Sequence, residues 1–228
     1  MHDILIQSSS PVFIIPGDNE WNDTSDPDLA WTYWTTYFAE FDQNFSNNEF
    51  TVLRQAPAGE LRNENFAFVD NSVLFIGINL VGGSTSRIDP QEWDQRLVDN
   101  ANWVQQNLAA FGDQVTSMVL FAHSFADPLD GSNQIFGEAF VPLAQSFEKP
   151  ILYLMGDDHT WTVDQPYADA PNVTRVVLDS GPDSVRVTVT HDPNNPFQFD
   201  RTPSDGGIGP LSDADGTANG VAEGAASG

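Results

Sequence analysis

The chain has 228 residues, no cysteine, and 33 acidic against 8 basic side chains, a formal net charge of −25. That length suffices for one sizeable core, and the absence of thiols excludes disulfides, thiolate metal sites and a cysteine nucleophile. So negative a field repels phosphate backbones and anionic headgroups, which excludes nucleic-acid or membrane binding through a basic patch and predicts a salt-adapted surface.

The first ten residues, MHDILIQSSS, carry no basic stretch followed by a long apolar one. No apolar run reaches the roughly 18 residues that span a bilayer, so a soluble chain without an export signal is expected, with no compartment assigned. Residues 11–16, PVFIIP, are continuously apolar and predict a fully buried strand. That run empties into Gly17, Asp18, Asn19 and Glu20. From Asp26 to about Phe45, Trp31, Trp34, Phe38 and Phe41 recur at the spacing of one helical face, read as core packing.

Phe66–Val69 and Val73–Ile78 predict two strands around an Asp70-Asn71 turn. Asp89-Pro90 opens a helix through about Ala110, with Trp93, Leu97, Ala101, Val104 and Leu108 on one stripe. Ser117–Ala122 reads as a strand with His123 at its end, followed by a helix over about Asn133–Phe147. The strand Ile151–Met155 runs into Gly156, Asp157, Asp158 and His159. Val173–Leu178 and Val185–Thr190 predict two more strands, the second alternating as a sheet with one wet face does. This gives an α/β domain over 1–200 and, over 201–228, a disordered acidic tail rich in Gly, Ala and Ser, with nothing to bury.

Three apolar strands thus end in side chains able to bind metal: Asp18 with Asn19 and Glu20, His123, and Asp157 with Asp158 and His159. In α/β folds ligands gather outside strand ends, so the pattern predicts convergence. Carboxylates with imidazoles suit harder or borderline divalent ions such as Mn, Fe or Zn. A serine hydrolase built on Ser124 beside His123 is disfavoured: neighbours on an extended segment point apart, and the chain has no Gly-x-Ser-x-Gly turn.

The order strand-GDNE, strand-His, strand-GDDH resembles the later motifs of the calcineurin-like metallophosphoesterases, in which Gly-Asn-His-Asp/Glu, His and Gly-His-x-His follow one another. PGDNEW and GDDHTWTVDQP are similar to a bacterial subgroup of that family that carries Gly-Asp-Asn-Glu and Gly-Asp-x-His. The resemblance spans about residues 5–200. It implies a four-layer αββα sandwich of two mixed sheets and a two-metal site that hydrolyses a small phosphorylated substrate. Asp18, His123 and Asp157 would hold one ion and His159 the other.

Asn19 stands where the family carries a phosphate-contacting histidine; it can donate a hydrogen bond but cannot act as an acid at neutral pH. Glu20 would orient Asn19 or a water. The resemblance further implies that the opening β-α-β portion, with Asp-x-His and Gly-Asp-x-x-Asp, is missing, since His2 and Asp3 read as the start of a short helix. The alternative is a non-catalytic, salt-adapted binding or structural domain that keeps the fold.

Overall fold

The computed structural model describes residues 1–46, 50–56, 62–179 and 184–201. The expected tail lies outside the described residues, apart from Arg201. Among the described residues, four α-helices, α1 (His2–Leu5), α2 (Pro27–Tyr37), α3 (Pro90–Phe111) and α4 (Gln134–Phe147), accompany nine strands. These are β1 (Leu53–Gln55), β2 (Arg62–Asp70), β3 (Val73–Gly77), β4 (Ser117–Phe121), β5 (Ile151–Met155), β6 (Thr162–Asp164), β7 (Val173–Val177), β8 (Arg186–Val189) and β9 (Phe197–Asp200). The fold is mixed α/β: a seven-stranded sheet in the order β1-β2-β3-β4-β5-β7-β6, and a two-stranded ribbon of β8 and β9.

The centre of the large sheet is parallel. β3 pairs with β4, β4 with β5 and β5 with β7, while β1, β2 and β6 run antiparallel to their neighbours. Parallel neighbours need a crossover, and α3 and α4 supply it between β3 and β4 and between β4 and β5. The starts of α2 and α3 have a clear physical cause. Asp26 caps α2 by accepting from the Leu29 N–H, Asp89 caps α3 by accepting from the Gln91 N–H, and a proline fills the first helical position after each.

Period-2 alternation sends the central strands' side chains to two faces. Leu74, Ile76, Met118, Leu120, Ile151 and Tyr153 pack against the α3 stripe of Trp93, Leu97, Ala101 and Val104 and against Phe136 and Phe140 of α4. Val73, Val119, Leu152, Leu154 and Val176 face the other way, where Phe197 and the half-buried Val187 and Val189 of the ribbon meet them. The β2–β3 hairpin turns through Asn71 and Ser72, both left-handed at φ 44° and 61°. That double positive φ matches the right-handed twist of the flanking strands.

Residues 11–16 are not a strand. The segment joins neither sheet and is half-buried up to Pro16. Pro11 and Pro16 close its two ends without a donating N–H. Ring packing holds it instead, with Phe13 4.8 Å from Phe66 and 4.7 Å from Phe68 between ring centroids. The aromatic stripe also departs from one continuous helix: α2 stops at Tyr37, Glu40 turns left-handed at φ 54°, and Phe41 falls in a separate 3₁₀ turn. Trp34 and Phe41 are nevertheless buried, as core residues should be. Among the described residues no helix is long and apolar enough to cross a membrane.

Candidate metal centre

Because β3, β4 and β5 are parallel, their C-terminal ends share one edge: Gly77 lies beside Phe121, and Phe121 beside Leu154. The chain beyond each strand stays locked to its neighbours. The N–H groups of His123 and Ser124 both donate to the Leu80 carbonyl, at 3.0 and 2.9 Å, and those of Gly156 and Asp157 to the His123 carbonyl, at 3.0 and 3.1 Å. His123 and Asp157 therefore sit on hydrogen-bonded extensions of β4 and β5, placed by the sheet rather than by free loops.

Asp18 arrives from the other direction. The carbonyl of Asp18 accepts from the N–H groups of Trp21 and Asp23, a tight turn that aims its side chain back at the strand ends. Asn22 fastens this turn to the loop after β3, donating its amide to the Gly82 carbonyl at 2.8 Å and the Ser84 carbonyl at 3.1 Å. Beneath it, the Arg96 guanidinium lies against the rings of both Trp21 and Trp93, 4.4 and 4.3 Å from their centroids. Arg96 is fully buried, and desolvation lowers its pKa to about 10, so it remains a cation at neutral pH. A polar network continues behind it: Arg96 and Asn100 donate to the Asn79 carbonyl, and the Asn65 amide bridges Gln55 and Asn100. The metal-site turn is thereby tied to α3 and β2.

The outcome is a cluster of Asp18, His123 and Asp157 whose ligand atoms all lie within 4.8 Å of one another. Atoms bound to one cation at roughly 2.0–2.2 Å lie at most about 4.4 Å apart, so small side-chain adjustments close this set around an ion. His123 Nε2 is 3.6 Å from Asp18 Oδ1, which also accepts from the Asn19 N–H at 2.7 Å. Asp18 is 7 % exposed, and a buried carboxylate needs a positive partner of some kind. On the far side Ser124 Oγ donates to Asp157 Oδ2 at 2.7 Å, and Tyr153 Oη donates to the Ser124 carbonyl at 2.7 Å. The donor set of two carboxylates and one imidazole fits a divalent cation.

His159 lies outside the group. It is exposed, and its backbone is left-handed at φ 55° after the Asp157-Asp158 turn. Asn19 and Glu20 are exposed beside the site. A Cβ on Gly17 would come within 2.6 Å of the Glu20 carboxylate and 3.1 Å of the His123 ring, which places Glu20 at the same mouth. His2 and Asp3 begin α1, a short helix with no buried residue.

Two contributors escaped sequence reading. Ser124 positions Asp157, a residue 33 positions further along the chain, a relation no local pattern encodes. Gly82 is the second: a Cβ there would lie 2.1 Å from Asp157 Oδ2 and 3.0 Å from Ser124 Oγ. The Gly82-Gly83 pair directly after an apolar run was the available signal, since paired glycines there mark a close approach. No protein-family model, no curated protein and no solved structure matches this chain.

Proposed function

We propose that the protein is a metal-dependent phosphoesterase whose cation is held by Asp18, His123 and Asp157, and that its finer architecture is the four-layer metallophosphoesterase sandwich. The observation that carries this reading is the convergence of those three side chains, from positions 18, 123 and 157, at the shared carboxyl edge of parallel strands. A divalent cation there supplies Lewis acidity at a phosphoryl oxygen and positive charge against the charge that builds during in-line displacement. In this reading a second ion, again Mn, Fe or Zn, shares the mouth with His159.

The chain's own groups have separate tasks. Ser124 holds Asp157 in its ligating orientation, and the Asn19 N–H does the same for Asp18 Oδ1. The Asn19 amide is an exposed donor for a phosphate oxygen, while Glu20 accepts a hydrogen bond from a water or from Asn19. The local charge of the cation overrides the repulsion that the −25 field exerts on an anionic ester.

A second reading, a domain that binds a cation without catalysis, draws on the single three-ligand group among the described residues and on Asn19, which cannot protonate a leaving group. Calorimetric titration with Mn²⁺ and Zn²⁺, alongside hydrolysis of p-nitrophenyl phosphate, separates the two. Phosphoesterase function predicts metal binding and turnover that both vanish in Asp18→Ala and Asp157→Ala. Metal binding without turnover favours the second reading, and protein that binds neither ion refutes both.

A further inference from the structure

Beside the metal centre, between the β8–β9 ribbon and the face of the large sheet opposite α3 and α4, lies a cavity of about 870 Å³. Its lining is mainly apolar, with Ile15, Val73, Phe75, Val119 and Leu154 on one side and Val187 on the ribbon side, and Asp70, Asn71, Arg186 and Thr188 border it as well. Its inner end is formed by Ala122, His123 and Gly156, so it opens at one of the three ligating side chains and at the glycine preceding another. A smaller apolar recess of about 310 Å³ adjoins it through the shared residues Ile15, Phe75 and Phe121.

We infer that this cavity takes the aliphatic chain of the substrate, so that the ester is a long-chain alkyl phosphate with its phosphate at Asp18, His123 and Asp157. The inference rests on the phosphoesterase reading above and adds the substrate class to it. Native interiors are packed to crystal-like density, and ligand sites of roughly 300–1,000 Å³ are characteristically apolar with a few polar groups fixing orientation. Here His123 stands at the inner end and the apolar side chains run away from it along the sheet toward Asp70 and Asn71, which border the far end at the β2–β3 turn. A hydrocarbon chain feels no repulsion from the −25 charge of the protein. A second copy of the chain would bring another −25 to the same surface and is disfavoured on that ground. Burying a methylene from water tightens binding by about fourfold, so affinity must climb with chain length until the space is full.

The test is calorimetric titration of the full chain with ethyl, butyl, hexyl and octyl phosphate below their micelle concentrations, with Mn²⁺ and again with EDTA, beside a separate Mn²⁺ titration. The expected result is an affinity that rises about fourfold per added methylene, and a dependence flattened by Val119→Trp and by Val187→Trp, two fillings from opposite walls that guard against one variant misfolding. Equal affinities for ethyl and octyl phosphate overturn the inference, as does a chain-length dependence that both folded variants retain. A dimer in sedimentation that Val119→Trp dissociates and octyl phosphate does not compete with assigns the cavity to a second copy and likewise overturns it. Flat chain-length behaviour with intact Mn²⁺ binding removes the cavity assignment alone. Chain-length dependence that persists in EDTA, without Mn²⁺ binding, supports the cavity and removes the metal reading.

Discussion

Replacing Gly82 with alanine tests the metal centre through a residue that ligates nothing. The added Cβ would sit 2.1 Å from Asp157 Oδ2, 2.8 Å from its Cγ and 3.0 Å from Ser124 Oγ. Ordinary contact begins near 3.4 Å, so the carboxylate must retreat by more than an ångström. Gly82 is not among the positive-φ glycines, so alanine is compatible with its backbone, and the lower entropy of the unfolded chain favours the variant by about 0.4–1 kcal/mol. Against that stands the 2.7 Å hydrogen bond from Ser124, worth about 1.5 kcal/mol for a charged acceptor that is only half-buried. Net stability falls by only about 0.5–1 kcal/mol. Metal affinity falls far more. Misplacing a ligand's support costs about 10- to 100-fold, or about 1.4–2.8 kcal/mol.

The assay is Mn²⁺ calorimetry paired with a thermal melt, and Gly131→Ala is the control. Gly131 has φ 90° and a Cβ there meets nothing within 4 Å, so its alanine variant loses stability through backbone strain and keeps its metal affinity. Folded Gly82→Ala protein that binds Mn²⁺ as tightly as the parent would refute the assignment of Asp157 as a ligand.

Three further outcomes are expected. Burial raises the Glu64 pKa above 4.5 despite Arg62 nearby, so the folded state holds this proton more tightly than the unfolded one. Its contribution is full below pH 4.5 and is lost as pH rises through the folded value. Glu64→Gln therefore melts increasingly above the parent as pH rises from 4.5, and parallel Tm-against-pH curves would contradict this. Ser72→Gly relieves a left-handed residue at φ 61° in the β2–β3 turn and raises stability by about 1 kcal/mol in a urea titration. Screening the −25 charge raises Tm between low and molar salt, and an unchanged Tm counts against self-repulsion as a cost of this surface.

The sequence alone determined those elements whose cause is local. Continuous apolar runs marked β4 and β5, the Asp89-Pro90 cap marked the start of α3, and alternation marked β8. It also singled out Asp18, His123 and Asp157, because polar side chains directly after an apolar run are visible without a fold. What lay outside its reach was partnership. Whether residues 11–16 pair as a strand depended on finding a neighbour with free N–H and C=O groups; aromatic rings met them instead. The three-residue strands β1 and β6 exist only because β2 and β7 offer them an edge. Asp157 and His159 were both read as ligands, of two adjacent ions, and the turn between them sent one into the cluster and the other to solvent. The tertiary structure decided these points because hydrogen-bond pairing and ligand convergence join residues dozens of positions apart, and a one-dimensional pattern carries no distance between them.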